Sequence, residues 1–86
     1  MPVKVWRVDL RRDSPEPLYR QIARLLREDI EKGTYAPGAM LPSLKDIEQD
    51  TGCTTKTIQR GIGILAGEGL VTIVPGKGTF VAERSQ

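Results

Sequence analysis

Hydrophobic residues recur at helical spacing early in the chain. Leucine and isoleucine occupy every fourth position from Leu18 to Ile30, and arginine and glutamate fill the opposite side. This spacing is typical of an amphipathic helix that packs one face against a core. Gly33 follows the last apolar position, where glycine often ends a helix. The pattern therefore predicts a first helix over residues 18–32.

A serine and a glycine bound a short second helix. Ser43 precedes a polar segment that has Asp46 at its third position. A serine at such a position accepts a backbone N–H group of the first helical turn. The helix is predicted over about residues 44–50, and Gly52 can adopt the left-handed conformation that a sharp corner needs. Two helices joined by a short turn that contains glycine match a helix-turn-helix unit.

The third predicted helix spans residues 54–67, with Thr54 as its cap. Ile58 and Ile62 lie on the apolar stripe that this helix would bury. Gly61 weakens the helix relative to alanine by up to about 1 kcal/mol. We therefore expect Gly61 to lie where another helix packs closely against this one.

Short β-rich runs at residues 70–74 and 78–82 flank Pro75-Gly76-Lys77, which predicts a hairpin with a basic tip. Apolar and polar residues also alternate over residues 3–10, as in a short strand or extended arm. Two prolines end that segment, and Ser14 or Asp13 could cap the helix that follows.

These elements predict a mainly α fold with a small β-hairpin, which is a winged helix-turn-helix. It would contain three helices, a two-stranded wing and a possible short N-terminal strand. We expect an N-terminal arm over residues 1–17, the winged domain over residues 18–82 and a short tail over residues 83–86.

Composition narrows the classes of function. The chain has 86 residues, of which 28% are charged and 38% hydrophobic, as in one soluble globular domain. Because it has no histidine and one cysteine, Cys53, it lacks the commonest general base and any internal disulfide. We expect no enzymatic activity, metal site or cofactor. No apolar run is long enough to cross a bilayer and no signal peptide is evident, so we expect a cytoplasmic protein.

The net charge of +2 gives weak support for a nucleic-acid partner, so the position of the basic groups matters more. On the third helix, Thr55, Lys56, Gln59 and Gly63 are expected to project outward, with Arg60 on a flank. The first turns of a recognition helix contact base edges in the major groove of DNA. There a glutamine amide can pair with adenine, and a threonine methyl can contact thymine.

Short motifs from the first helix to the hairpin occur in the order and spacing of one bacterial family. They are Leu18-Tyr19-x-Gln21-Ile22, Gly33-x-Tyr35-x-Pro37-Gly38-x-x-Leu41-Pro42-Ser43, Thr57-Ile58, Leu65-x-x-Glu68-Gly69-Leu70-Val71 and Gly76-Lys77-Gly78-Thr79-Phe80-Val81. Through them the chain resembles the N-terminal DNA-binding domain of the GntR family of transcription regulators. The resemblance covers about residues 18–82.

The resemblance implies a regulator that binds double-stranded DNA sequence-specifically. Its third helix, over about residues 54–67, would enter the major groove, and its wing, over residues 70–82, would approach the minor groove or the backbone. Most of the predicted DNA-binding residues are carried over by position, and Arg60 is added for its side-chain chemistry. They are Ser43, Lys45, Thr54, Thr55, Lys56, Thr57, Gln59, Arg60, Gly76 and Lys77.

Departures from the family pattern affect the expected base preference. Members usually carry arginine at the positions of Lys45 and Thr55, and often at that of Gln59. An arginine can donate two hydrogen bonds to one guanine, and each arginine lost removes roughly 1–3 kcal/mol of discrimination for that base. We therefore expect a binding site that depends less on guanine than is usual in the family. Glu48 replaces a small buried alanine. Because a buried unpaired carboxylate is costly, it should reach solvent or a cation such as Lys45 or Lys56.

A protein-interaction module with the same winged fold, without specific DNA binding, is the alternative. Glu48, the missing arginines and the balanced charge of the second half favour it somewhat. Helix-turn-helix proteins commonly bind two half-sites as dimers, so a homodimer is one expectation. Full-length family members carry an effector-binding or dimerising domain after the wing. Only residues 83–86 follow it here, so we expect no small-molecule effector site in this chain.

Overall fold

The computed structural model describes residues 10–83 and confirms the predicted winged fold. Its helices and strands, in chain order, are α1 (Leu18–Lys32), α2 (Leu44–Thr51), α3 (Thr55–Gly67), β1 (Val71–Val74) and β2 (Gly78–Val81). The strand predicted over residues 3–10 lies outside the described residues except for Leu10, which packs against the core. No helix among the described residues combines the length and the apolar character that a membrane span needs.

The start of α1 differs from the prediction. Neither Ser14 nor Asp13 caps the helix, which begins after Pro17 without a side-chain cap. Ser14 Oγ instead accepts the backbone N–H of Glu16 at 3.1 Å, two residues along the chain. This local bond forms a turn, because a short hydroxyl side chain reaches its nearest downstream N–H group more easily than a distant helix end.

A buried glutamine holds the segment before α1 in place. Gln21 Nε2 donates to the carbonyl oxygens of Arg11 and Glu16, both at 2.8 Å. Gln21 Oε1 accepts the Arg11 N–H at 2.8 Å. Three backbone groups are thereby satisfied by one side chain that is itself almost fully buried. The described part of the N-terminal segment therefore packs as an integral part of the domain.

The helices α1 and α3 pack closely against each other at Gly61. A side chain there would place its Cβ 2.7 Å from the Tyr19 carbonyl oxygen and 3.2 Å from Ile22 Cγ2. This contact confirms the expected close packing at Gly61. It also fixes the rotation of α3, because the side that contains Ile58 and Ile62 is buried against the core.

The corner between α2 and α3 forms as predicted. Ser43 Oγ accepts the Asp46 N–H at 3.0 Å, and Gly52 has a φ of 75° in the left-handed region. Cys53 is buried directly after the corner, where it joins the core. The polar caps and the glycine of the sequence therefore determine where α2 begins and ends.

Arg12 provides a contact at this corner that the sequence did not reveal. Its Nη2 atom donates to the carbonyl oxygen of Thr51 at 2.7 Å, at the C-terminal end of α2. A cation at this end of a helix interacts favourably with the unpaired carbonyl groups there. The segment before α1 is therefore linked to the helix-turn-helix corner.

The wing is an antiparallel hairpin attached to the loop before α2. Its register pairs Val71 with Val81 and Val74 with Gly78. The Leu41 N–H donates to the Thr79 carbonyl at 2.8 Å, and a single β-bridge joins Met40 to Phe80. Because this loop leads directly into α2, these bonds fix the wing relative to the helix-turn-helix unit.

We expect Gly61→Ala to lower the free energy of unfolding by about 1–3 kcal/mol, because its methyl group would meet the Tyr19 carbonyl oxygen and the Ile22 side chain of α1. Gly63→Ala is the matched control, since a Cβ at Gly63 meets nothing within 4 Å. It should raise the stability by up to about 1 kcal/mol through helix propensity. Urea unfolding measures both changes, and equal effects of the two substitutions would contradict the close approach.

Candidate nucleic-acid interface

The N-terminal end of α3 projects from the core. Thr54 caps the helix, because its Oγ1 accepts the Thr57 N–H at 3.3 Å. The side chains of Lys56 and Gln59 are exposed on the outer face of the first two turns. The first turn of α3 contains no acidic residue, so its unpaired N–H groups favour an anion such as a phosphate.

An open groove of about 700 Å³ runs between the start of α2, α3 and the wing. Half of the predicted DNA-binding residues line it, namely Ser43, Lys45, Gln59, Gly76 and Lys77. The rest of its wall includes apolar side chains, of which Met40 is 58% exposed and Ile73 is 49% exposed. The groove brings together residues from three elements that lie far apart in the sequence.

A second, shallower depression lies on the other side of Gln59. It is lined by Lys56, Thr57, Gln59 and Arg60, together with Tyr19 of α1. Because Gln59 contributes to both depressions, they form one continuous surface along α3. We call this surface the α3–wing face. The two remaining predicted residues, Thr54 and Thr55, lie at the beginning of α3, next to Lys56.

Four predicted residues carry the positive charge of the α3–wing face. They are Lys45, Lys56, Arg60 and Lys77. Among residues 10–83, none of these four forms an ion pair. On α1, in contrast, the Arg27 guanidinium contacts both carboxylate oxygens of Glu68, at 2.7 and 2.9 Å. The weak net charge therefore does not prevent four exposed cations from sharing one surface.

Tyr19 is a member of this surface that the sequence did not identify as functional. The guanidinium carbon of Arg60 lies 4.1 Å from the centre of the Tyr19 ring, within the range of a cation–π contact. The pKa of Tyr19 is lowered, first by a hydrogen bond with Arg20 and then by the charge of Arg60. Tyr19 therefore restricts the position of Arg60, which remains an exposed residue.

Glu48 reaches solvent, which was one of the two environments expected for it. Its Oε2 atom accepts a hydrogen bond from Thr55 Oγ1 at 3.2 Å. The partner is therefore a hydroxyl group at the start of α3, and not one of the two lysines that the sequence suggested. No sequence signal selects Thr55 as the partner of Glu48.

The two tyrosines should titrate in separate steps. The pKa of Tyr19 is lowered from the ordinary value of about 10, whereas burial and then the charge of Asp29 raise the pKa of Tyr35. Ultraviolet absorbance of the phenolates should show two transitions, and Arg60→Gln should move only the first one upward. Lys32→Gln, at the far end of α1, is the control. A first transition that does not respond to Arg60→Gln would rule out the contact with Tyr19.

Comparison with known proteins identifies the family. The family described as "Bacterial regulatory proteins, gntR family" matches residues 18–81. The histidine utilization repressor of Pseudomonas putida is 32% identical over 71 residues, which cover 83% of this chain and 29% of that protein. The HTH-type transcriptional repressor NagR of Bacillus subtilis is 32% identical over 76 residues, 88% of this chain and 31% of that protein.

The fold also matches a solved structure with DNA. The crystal structure of AraR(DBD) in complex with operator ORX1 has a TM-score of 0.79 and 31% identity, covering 85% of this chain and 94% of that chain. The present chain thus spans about a third or less of the two repressors, but nearly all of this DNA-binding domain. The chain belongs to the gntR family of bacterial regulatory proteins.

Proposed function

We propose that this chain binds double-stranded DNA sequence-specifically as part of a transcription regulator. One observation carries the proposal: Gln59, four exposed cations and the wing tip share the α3–wing face. A surface that combines cations with an exposed helix start can neutralise phosphates and present side chains to base edges. The repressor relatives and the operator complex of AraR(DBD) support the same function.

The N-terminal half of α3 would enter the major groove, which is wide enough to admit a helix. The core packing of Ile58 and Ile62 leaves the opposite side of α3 free for this contact. The wing tip, with Gly76 and Lys77, would follow the backbone or the adjacent minor groove. Its attachment to the loop before α2 keeps the tip beside α3.

The site residues would divide into two roles. Gln59 and the threonines at the start of α3 would contact bases, because an amide can pair with adenine and a methyl group can contact thymine. Lys45, Lys56 and Lys77 would contact phosphates, as would Ser43 through its hydroxyl group. Arg60 would contact a phosphate or a guanine from its position over Tyr19.

Homodimerisation would place two copies of α3 on successive half-sites, as in many helix-turn-helix proteins. We assign no catalytic, metal-binding or effector-binding role to the chain, and we place its action in the cytoplasm, where bacterial DNA lies. We propose the division expected from the sequence, with an N-terminal segment over residues 1–17, the winged domain over residues 18–82 and a tail over residues 83–86.

The protein-interaction alternative has one observation in its favour. Met40 and Ile73 expose apolar surface in the groove beside the wing, and such surface can bind another protein. Salt separates the two functions. Binding to DNA should weaken steeply with added salt, with a logarithmic slope of about −0.9 for each phosphate contact. A module that binds only proteins should show no affinity for duplex DNA at low salt.

Selection from a pool of random duplexes, followed by titrations at several salt concentrations, tests the proposal. We expect Lys56→Ala to weaken binding to all duplex sequences similarly. It should also reduce the salt slope by about 1, because it removes one phosphate contact. Gln59→Ala should instead change the preferred base at one position. Lys32→Ala, which removes a lysine at the end of α1, is the control and should change neither property.

An unenriched pool would contradict sequence-specific binding. If Lys56→Ala and Gln59→Ala both lowered the affinity for all duplex sequences equally, the division of roles between the two residues would be contradicted. A reduction of the salt slope by Lys32→Ala as large as that by Lys56→Ala would show that the cations act through overall charge and not through the α3–wing face.

A further inference from the structure

An acidic side chain lies at the edge of the α3–wing face. Glu48 belongs to α2, yet its carboxylate is exposed and contacts Thr55, the first residue of α3. The bond from Thr55 Oγ1 to Glu48 Oε2 measures 3.2 Å. One carboxylate oxygen is thereby directed toward the start of α3, and the carboxylate retains further acceptor positions.

An exposed carboxylate beside a phosphate-binding surface is unfavourable unless DNA offers it a hydrogen-bond donor. An ionised carboxylate can only accept hydrogen bonds. In the major groove guanine presents two acceptors and thymine presents one, so both would face Glu48 without a partner. Adenine presents an amino donor beside an acceptor. Cytosine presents its N4 amino donor alone, which makes it the best match for a carboxylate.

The contact with Thr55 also affects what that residue can offer. Because its hydroxyl hydrogen is directed to Glu48, Thr55 has no donor left for a base or a phosphate. Its methyl group remains available for apolar contact. The pair therefore presents acceptors and a methyl group where an arginine would present donors, which reverses the polarity of this part of the surface.

We propose that Glu48 is a specificity-determining residue that selects cytosine at one base pair of the binding site. Thr55 positions the carboxylate, and the N4 amino group of cytosine donates to it. This inference rests on the proposed binding to DNA and assigns a base preference to a residue outside the ten predicted DNA-binding residues. A preference for cytosine at this position also agrees with the reduced preference for guanine that the missing arginines predict.

The test compares selections from random duplexes with wild-type protein, Glu48→Ala and Glu48→Gln. Wild type should prefer cytosine over guanine at one position by on the order of tenfold. Glu48→Ala should lose that preference, and Glu48→Gln should move it toward adenine, since an amide both donates and accepts. Glu31→Gln, an exposed substitution at the end of α1 with the same charge change, should retain the wild-type pattern.

Thr55→Val gives an independent test, because it removes the donor and keeps the shape of the side chain. It should weaken the preference for cytosine without changing the salt slope. Identical base preferences in wild type and both Glu48 variants would overturn the inference and leave the binding of DNA intact. No enrichment with any of these proteins would instead contradict the proposed function itself.

Discussion

The architecture depends on the close approach of α1 and α3 at Gly61. Because Gly61 has no side chain, the carbonyl oxygen of Tyr19 can lie close to it. A Cβ atom at this position would be only 2.7 Å from that oxygen. Once the two helices are this close, α3 cannot rotate without losing the buried contacts of Ile58. The outward direction of Lys56 and Gln59 follows from this packing. The same approach brings Tyr19 beneath Arg60, so one contact both supports the core and shapes the exposed face.

Hydrogen bonds to backbone groups determine where the wing and the corner lie. The wing is joined through Leu41 and Thr79 to the loop that precedes α2, and Arg12 binds the carbonyl group at the end of that helix. Gln21 in turn holds the segment that contains Arg12. These bonds connect the two ends of the domain to the corner. Such links keep separate surface elements in register without a large core.

The helices and the hairpin could be predicted from sequence because their signals are local. The repeat from Leu18 to Ile30, the caps at Ser43 and Thr54, and the glycine at position 52 each act within a few residues. Their bounds in the structure differ from the predicted ones by at most about one residue. The prediction that Ser14 could cap α1 was wrong, because the Ser14 hydroxyl binds a nearer partner, the N–H group of Glu16.

The site was less predictable where it depends on contacts between elements. Tyr19 lies in a recognised motif, but its stacking with Arg60 arises only when α1 and α3 pack. The bond from Thr55 to Glu48 likewise joins two helices across the corner, and chemistry alone favoured a lysine as the partner. The bridge between Met40 and Phe80 links residues forty positions apart, which no local pattern indicates. Sequence thus predicts which residues face outward better than it predicts their partners.

The most direct measurement is an amide chemical-shift titration of the isotope-labelled chain with a duplex that it selects. If the α3–wing face contacts DNA, the largest changes should occur together at the amides of residues 54–60 and 76–78. Amides at the C-terminal end of α1 should change little. Changes confined to the groove around Met40 and Ile73, with residues 54–60 unaffected, would contradict the orientation of α3 on which the account rests.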